Sequence, residues 1–179
     1  MLVALTLIMS RVAIGVVFAL SATGKARDIA GFRESVSEFR LLPASWVNAA
    51  VWSFLCLECA VVIAMVIGNG LLLLGFILAA CLLLTFSMAL SLALLKGAKM
   101  TCNCFGRTQE RISYYDVARN AMLFVCSLAG CWAVFGFSAG LSTSQLILAL
   151  LMSACFVVFV SNVRAVVETL RQPFRIGGV

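Results

Sequence analysis

The sequence predicts an all-α membrane protein, a bundle of about five transmembrane helices that forms one domain over residues 1–179. Of the 179 residues, 64% are hydrophobic and 11% are charged, and the mean hydropathy is +1.14. Soluble domains average roughly 45–50% apolar and about 25% charged residues. A chain of this size cannot enclose so much apolar surface within a polar shell. The composition therefore excludes a soluble globular enzyme.

Five apolar segments account for the predicted bundle. A helix that crosses a bilayer needs about 20 mostly apolar residues, whereas a strand of a membrane barrel alternates between apolar and polar residues. In chain order, the segments are Leu2–Ala22, Val47–Ile67, Leu71–Leu95, Val117–Phe137 and Leu146–Val163. Between the second and third segments, Gly68-Asn69-Gly70 predicts a tight turn, because these residues tolerate positive φ.

The first long loop, Thr23–Trp46, contains apolar residues at helical spacing, namely Ile29, Phe32, Val36 and Phe39. This pattern predicts a short amphipathic helix that lies on the membrane surface. In the second long loop, Ser113 and Asp116 form a helix-capping pattern just before the fourth apolar segment.

Basic residues are sorted to one face of the predicted membrane. Apart from Arg11, every Lys and Arg lies on or just inside the face that holds the two long loops and the tail from Arg164. Cytoplasmic loops carry an excess of Lys and Arg, so the rule predicts an extracytoplasmic amino terminus and cytoplasmic loops. The formal net charge of +6 suits anionic lipid headgroups, and we expect no nucleic-acid partner.

Sulfur is the reactive element of this chain, which has eight cysteines and no histidine. Without histidine the chain cannot form a Ser-His-Asp triad, a Cys-His dyad or a His-based metal site. Cys102 and Cys104 are one residue apart in the polar loop before the fourth segment. A disulfide at this spacing strains the backbone and is easily reduced, and nearby Lys99, Arg107 and Arg111 favour the thiolate. The pattern indicates a redox pair, with soft-metal binding or two incidental cysteines as the alternatives.

The motif around these cysteines resembles the MauE branch of the DoxX-like membrane proteins. The matching strings are Cys102-Asn103-Cys104-Phe105-Gly106, Arg119-Asn120, the opening Arg11…Gly15…Phe18…Gly24-Lys25, and Glu58. The resemblance covers roughly residues 10–137 and departs at Asn103, where the family has glycine. It implies a DoxX-like four-helix core plus one helix, in a bacterial plasma (inner) membrane.

The resemblance also implies thiol–disulfide exchange with a thioredoxin-like partner. MauE is thought to work beside such a partner in forming disulfides in the small subunit of methylamine dehydrogenase. Cys102 and Cys104 would be the catalytic pair, and we expect Cys104 to attack and Cys102 to resolve the mixed disulfide. The supporting residues would be Phe105, Gly106, Arg107, Arg119 and Asn120. A quinone would complete the circuit, by architectural analogy with DsbB and vitamin K epoxide reductase, but no motif identifies its site.

Two other functions fit the cysteines, and one conflict stays open. A transporter for mercury or copper(I) would capture the ion at the loop pair and pass it to thiols inside the bundle, although the seven methionines are scattered. A non-catalytic anchor for a redox partner is the other alternative.

Maturation of an exported protein requires Cys102 and Cys104 outside, whereas the charge rule puts them in the cytoplasm. A cytoplasmic pair would draw electrons from cytosolic thioredoxin, so the direction of electron flow stays open.

Inside the predicted membrane, ionisable residues are costly and usually paired. At about 1.5 Å per residue, Arg11 and Glu58 both lie roughly 18–20 Å below the same face, which predicts an Arg11–Glu58 ion pair. The alternative is that Arg11 snorkels outward alone. Cys56 and Cys59 share a helix face near that depth. They are either a redox relay or, with Cys81 and Cys126, small packing residues at helix contacts. Cys131 and Cys155 are interpreted as structural.

Overall fold

The fold consists of six α-helices, seen in a computed structural model that describes residues 2–38, 43–95, 114–136 and 143–162. The helices are α1 (Leu2–Arg27), α2 (Ile29–Glu38), α3 (Ala44–Ile67), α4 (Leu71–Leu95), α5 (Tyr114–Phe135) and α6 (Thr143–Ser161). No strand occurs within these four ranges. The predicted all-α membrane fold is confirmed.

Four of the helices, α1, α3, α4 and α5, are long and apolar enough to cross a membrane. The fifth predicted span, residues 146–163, falls on α6, whose apolar part Leu146–Ser161 is shorter than the other four. The first span is longer than predicted, because α1 continues beyond Ala22 to Arg27. This extension places Lys25 inside a helix instead of a loop.

Helix α1 lies at the centre of the bundle, where it packs against α3, α5 and α6, while α4 packs between α3 and α5. Close approach of α4 and α5 depends on a small residue, because Gly130 lies directly against the ring of Phe76. Ser127, one turn earlier on α5, donates a hydrogen bond of 2.7 Å to the carbonyl oxygen of Phe76. Small residues and interhelical hydrogen bonds of this kind hold helices together in lipid, where hydrophobic burial supplies little force.

The tight turn predicted between the second and third spans joins α3 to α4. Gly68 has a φ of 76° and Asn69 a φ of 51°. The N–H of Gly68 donates to the carbonyl oxygen of Ala64 at 3.0 Å, which closes the last turn of α3. Positive φ is favourable for Gly and tolerated by Asn, so the sequence pattern and the backbone agree here.

The predicted amphipathic helix is α2, and its apolar face packs against α3. Phe32 is buried against Val47 and Val51, with Ile29 and Val36 at the edge of the same cluster. At the rim of this contact, the guanidinium of Arg33 donates to the side-chain oxygen of Asn48 at 2.6 Å. Phe39, the last residue of the predicted apolar face, lies outside the described residues. Helix α2 is therefore attached to the bundle through α3, a partner that periodicity alone does not indicate.

Exposed aromatic residues mark the two ends of α5. Tyr114 begins the helix, and Trp132 and Phe135 lie in its last turn, each more than half exposed. At 1.5 Å per residue, Tyr114 and Trp132 are about 27 Å apart along the helix axis. That separation is close to the thickness of a bilayer hydrocarbon core, about 30 Å. Aromatic belts at both interfaces are typical of membrane proteins.

Candidate functional site

A buried ion pair between Lys25 and Glu58 is the most polar feature of the described bundle. The ammonium of Lys25, near the end of α1, pairs with Oε1 of Glu58 in the middle of α3. Both residues are only 2% exposed. Burying two charges is favourable only when their remaining hydrogen bonds are supplied, so the surrounding groups decide what this pair can do.

Ser21 connects the two members of the pair. Its hydroxyl accepts a hydrogen bond of 2.8 Å from Nζ of Lys25 and donates one of 3.1 Å to Oε1 of Glu58. Ser21 and Lys25 are four residues apart on α1, which puts both on one face of the helix. The hydroxyl serves as donor and acceptor at once, and this property allows a single small side chain to form a hydrogen bond with each charged group.

Two aromatic rings enclose the ammonium group from the other side. Nζ of Lys25 lies 4.7 Å from the ring centroid of Phe86 on α4 and 5.2 Å from that of Phe32 on α2. Phe86 also contacts Phe54 of α3, with ring centroids 5.1 Å apart. Cation–π contacts at these distances offset part of the cost of burying the charge. Side chains from α1, α2, α3 and α4 therefore meet at one cation.

The fifth element at this site is α5, whose first turns carry polar residues. Nη2 of Arg119 is 3.8 Å from Oδ1 of Asp116, one turn earlier. Asn120, the second member of the predicted Arg-Asn pair, is buried. These residues bring a second cation and a second carboxylate to the same end of the bundle.

Glu58 has a buried acceptor atom with no partner among the described residues. Oε1 of Glu58 receives two hydrogen bonds, whereas Oε2 is buried and receives none. Leaving a buried acceptor unsatisfied costs about 1–3 kcal/mol, and more for a charged group. The centre thus has an open acceptor position next to a buried cation.

The predicted Arg11–Glu58 pair is wrong, because Glu58 pairs with Lys25. Arg11 instead donates from Nε to the carbonyl oxygen of Met65 at 2.6 Å and from Nη2 to that of Val66 at 2.9 Å. These are carbonyls of the last turn of α3, which lack partners within the helix. A cation at this position also interacts favourably with the helix dipole.

The error arose from the register of α1 against α3. Gly15 lies beside Met65, and Ser21 lies beside Glu58, so Arg11 is level with the end of α3 and not with its middle. The predicted depth of Arg11 was counted from Thr23 as the first residue of a loop. This choice placed Gly24 and Lys25 outside the helix. A signal for Lys25 was present, since it follows Ser21 by four residues and belongs to the DoxX-like opening.

The loop motif lies outside the described residues. This applies to Cys102, Cys104, Phe105, Gly106 and Arg107, for which the catalytic and supporting roles stay predictions. The loop leaves the end of α4 at Leu95 and enters α5 at Tyr114. It therefore begins and ends at the membrane face where α2 lies.

Cys56 and Cys59 flank Glu58 on α3 but are both exposed, as are Cys81 and Cys155. Both Cys56 and Cys59 thus present surface outside the contacts of the described helices. Their relay role stays a prediction. Cys126 and Cys131 are partly buried against the core. No group of three or more Cys, Asp or Glu side chains within the described ranges could hold a metal ion.

Comparison with known families gives a match to methylamine utilisation protein MauE over residues 3–133. The chain belongs to the MauE family. Lys25, Glu58, the loop cysteines and Arg119 all fall within the matched residues. This MauE-family chain is also 33% identical, over 123 residues, to the methylamine utilization protein MauE of Paracoccus denitrificans. That alignment covers 66% of this chain and 64% of the relative, so the chain spans less than two thirds of the relative's length. No solved structure is significantly similar to this chain.

Proposed function

We propose that this protein is a membrane thiol–disulfide oxidoreductase of a bacterial plasma membrane, which exchanges electrons with a thioredoxin-like partner through Cys102 and Cys104. The observation that carries the proposal is the Cys-x-Cys-Phe-Gly string at residues 102–106, inside the span that matches MauE. Because the Paracoccus relative is named for methylamine utilisation, we place the partner protein in that process.

The exchange proceeds through a mixed disulfide. In the oxidising direction, a thiolate of the partner attacks the Cys102–Cys104 disulfide, and a covalent bond forms between the two proteins. The second thiolate of the partner then displaces the loop cysteine, leaving a partner disulfide and a reduced Cys102–Cys104 pair. Two electrons and two protons have moved to the loop pair, and a membrane quinone takes them when the pair is reoxidised. The face of the membrane that carries the loop sets the direction of transfer.

Alkylation of the purified chain tests the redox role. A thiol reagent of known mass is added after incubation with reductant, with a short-chain quinone, or with an oxidised thioredoxin-like protein. We expect Cys102 and Cys104 to lose two alkylated sites together on oxidation and regain them on reduction, while in Cys102→Ser the remaining Cys104 stays open to alkylation after the quinone and forms a mixed disulfide with the oxidised thioredoxin-like protein. If both thiols stay reduced under every oxidant and bind stoichiometric metal instead, the proposal fails.

Labelling of intact cells decides the membrane face. A membrane-impermeant maleimide reaches Cys102 from outside only if the loop is extracytoplasmic. Oxidation of an exported partner requires that result. Labelling only after the cells are opened would assign the reducing direction, in agreement with the charge distribution.

A further inference from the structure

We propose that the centre formed by Lys25, Glu58 and Ser21 binds the head group of a lipid-soluble quinone, the electron acceptor of the proposed function on which this inference rests. The observations are the open Oε2 of Glu58, the adjacent ammonium, and the two rings beside it. No sequence motif pointed to such a site.

The centre offers one hydrogen-bond acceptor and one hydrogen-bond donor. Oε2 of Glu58 is the acceptor. Lys25 has three N–H donors, and Ser21 and Glu58 take two of them. A quinone has carbonyl oxygens that only accept, and its quinol has hydroxyl groups that donate. A site that holds both redox states needs both kinds of partner, and this pair supplies them.

The surroundings select an apolar, planar molecule. The centre lies within helices long enough to cross the membrane, and both charges are shielded from water. We therefore expect a ligand that partitions into lipid. The partly buried ring of Phe86 offers a flat apolar surface, against which an aromatic head group packs favourably.

Phe86 gives the centre a side from which such a ligand can approach. Its ring packs against the cluster of Phe32, Val47 and Val51 and lies over Lys25. Phe86 is only partly buried. We place the route of entry at this ring, which turns aside to admit the head group.

The chemistry balances without a further reactant. When the quinone is reduced, its ring oxygens take up the two electrons and two protons released by the Cys102–Cys104 dithiol as it forms a disulfide. Lys25 and Glu58 bind the head group through hydrogen bonds and are unchanged at the end. In the reverse direction, the same site would hold the quinol as electron donor.

Photolabelling with an azidoquinone tests the site on the full chain in lipid nanodiscs. We expect the label on peptides that contain Lys25, Phe32, Glu58 or Phe86, and we expect excess ubiquinone-1 to remove it. This readout needs only the native sequence, so it does not depend on the folding of a variant. Label elsewhere on the chain, or label that ubiquinone-1 does not displace, overturns the proposal.

Variants then separate this site from the loop chemistry. Lys25→Met combined with Glu58→Gln removes both charges together and should reduce displaceable label at least tenfold. Arg11→Gln removes a cation at the other end of α1 and should leave the label unchanged. Cys102→Ser with Cys104→Ser should also keep it, which distinguishes failure of the thiol exchange from failure of quinone binding. Equal label in the double charge variant and the native chain would show that Oε2 faces only a buried water.

Discussion

Arg11 lies against Gly68, the C-cap residue directly after α3. Gly68 has a φ of 76° and a ψ of −143°, a conformation that is essentially restricted to glycine. A Cβ atom on Gly68 would lie 2.8 Å from Nη2 of Arg11. The two residues therefore fit only because one of them has no side chain, and Arg11 uses the space to reach the last carbonyls of α3.

Gly68→Ala should lower the free energy of unfolding by about 1–3 kcal/mol, the cost of a non-glycine residue in this backbone region. Unfolding by sodium dodecyl sulfate, followed by circular dichroism, measures the change. Gly70→Ala is the matched control, since a Cβ there meets nothing within 4 Å. Equal effects of the two substitutions would contradict the role assigned to Gly68.

Lys25 and Glu58 should be strongly coupled in stability. Removing one partner of a buried pair leaves an uncompensated charge and costs about 3–5 kcal/mol, whereas removing both often costs little. We expect Lys25→Met and Glu58→Gln each to destabilise the bundle by an amount in this range. The double variant should recover most of the loss in the same unfolding assay.

A comparison pair is available at the surface. Arg33 and Asn48 are exposed and joined by one hydrogen bond, so substituting Arg33 with Ala should change stability by less than about 1 kcal/mol. Additive effects at Lys25 and Glu58, with no recovery in the double variant, would mean that the two side chains do not interact in the membrane.

Gly130→Ala should separate α4 from α5. The added methyl group would overlap the ring of Phe76, which is fully buried, and overpacking of this kind costs about 1–3 kcal/mol. Phe76→Leu in the same chain should restore part of the loss by making room. If Gly130→Ala alone is neutral in the unfolding assay, the close helix contact is absent.

Alkylation rates should divide the described cysteines into two classes. Cys56 and Cys59 are exposed, whereas Cys126 and Cys131 are partly buried against the core. In detergent, N-ethylmaleimide should modify the first two before the second two, as followed by peptide mass spectrometry with time. Simultaneous modification of all four thiols would indicate that the bundle opens faster than the reagent acts.

Much of the fold could be predicted from hydropathy, since four apolar segments became membrane-length helices and Gly68-Asn69-Gly70 became a turn. The partner of Glu58 could not be predicted from hydropathy. Hydropathy treats a lysine after Thr23 as the start of a loop, although α1 continues and buries Lys25. Which residues pair across two helices depends on the axial register of the helices. That register is set by contacts between helices, such as Gly15 with Met65, and the sequence of one helix alone does not determine it.

Phe32 gives the surface helix α2 a direct connection to the interior of the bundle. Its ring packs on Val47 and Val51 and also lies over the ammonium of Lys25. The position of an element at the membrane–water boundary is thus tied to the occupancy and charge of a centre within the membrane. Because Phe32 touches both regions, a ligand in the proposed site beside Lys25 would lie against a side chain that α2 supplies.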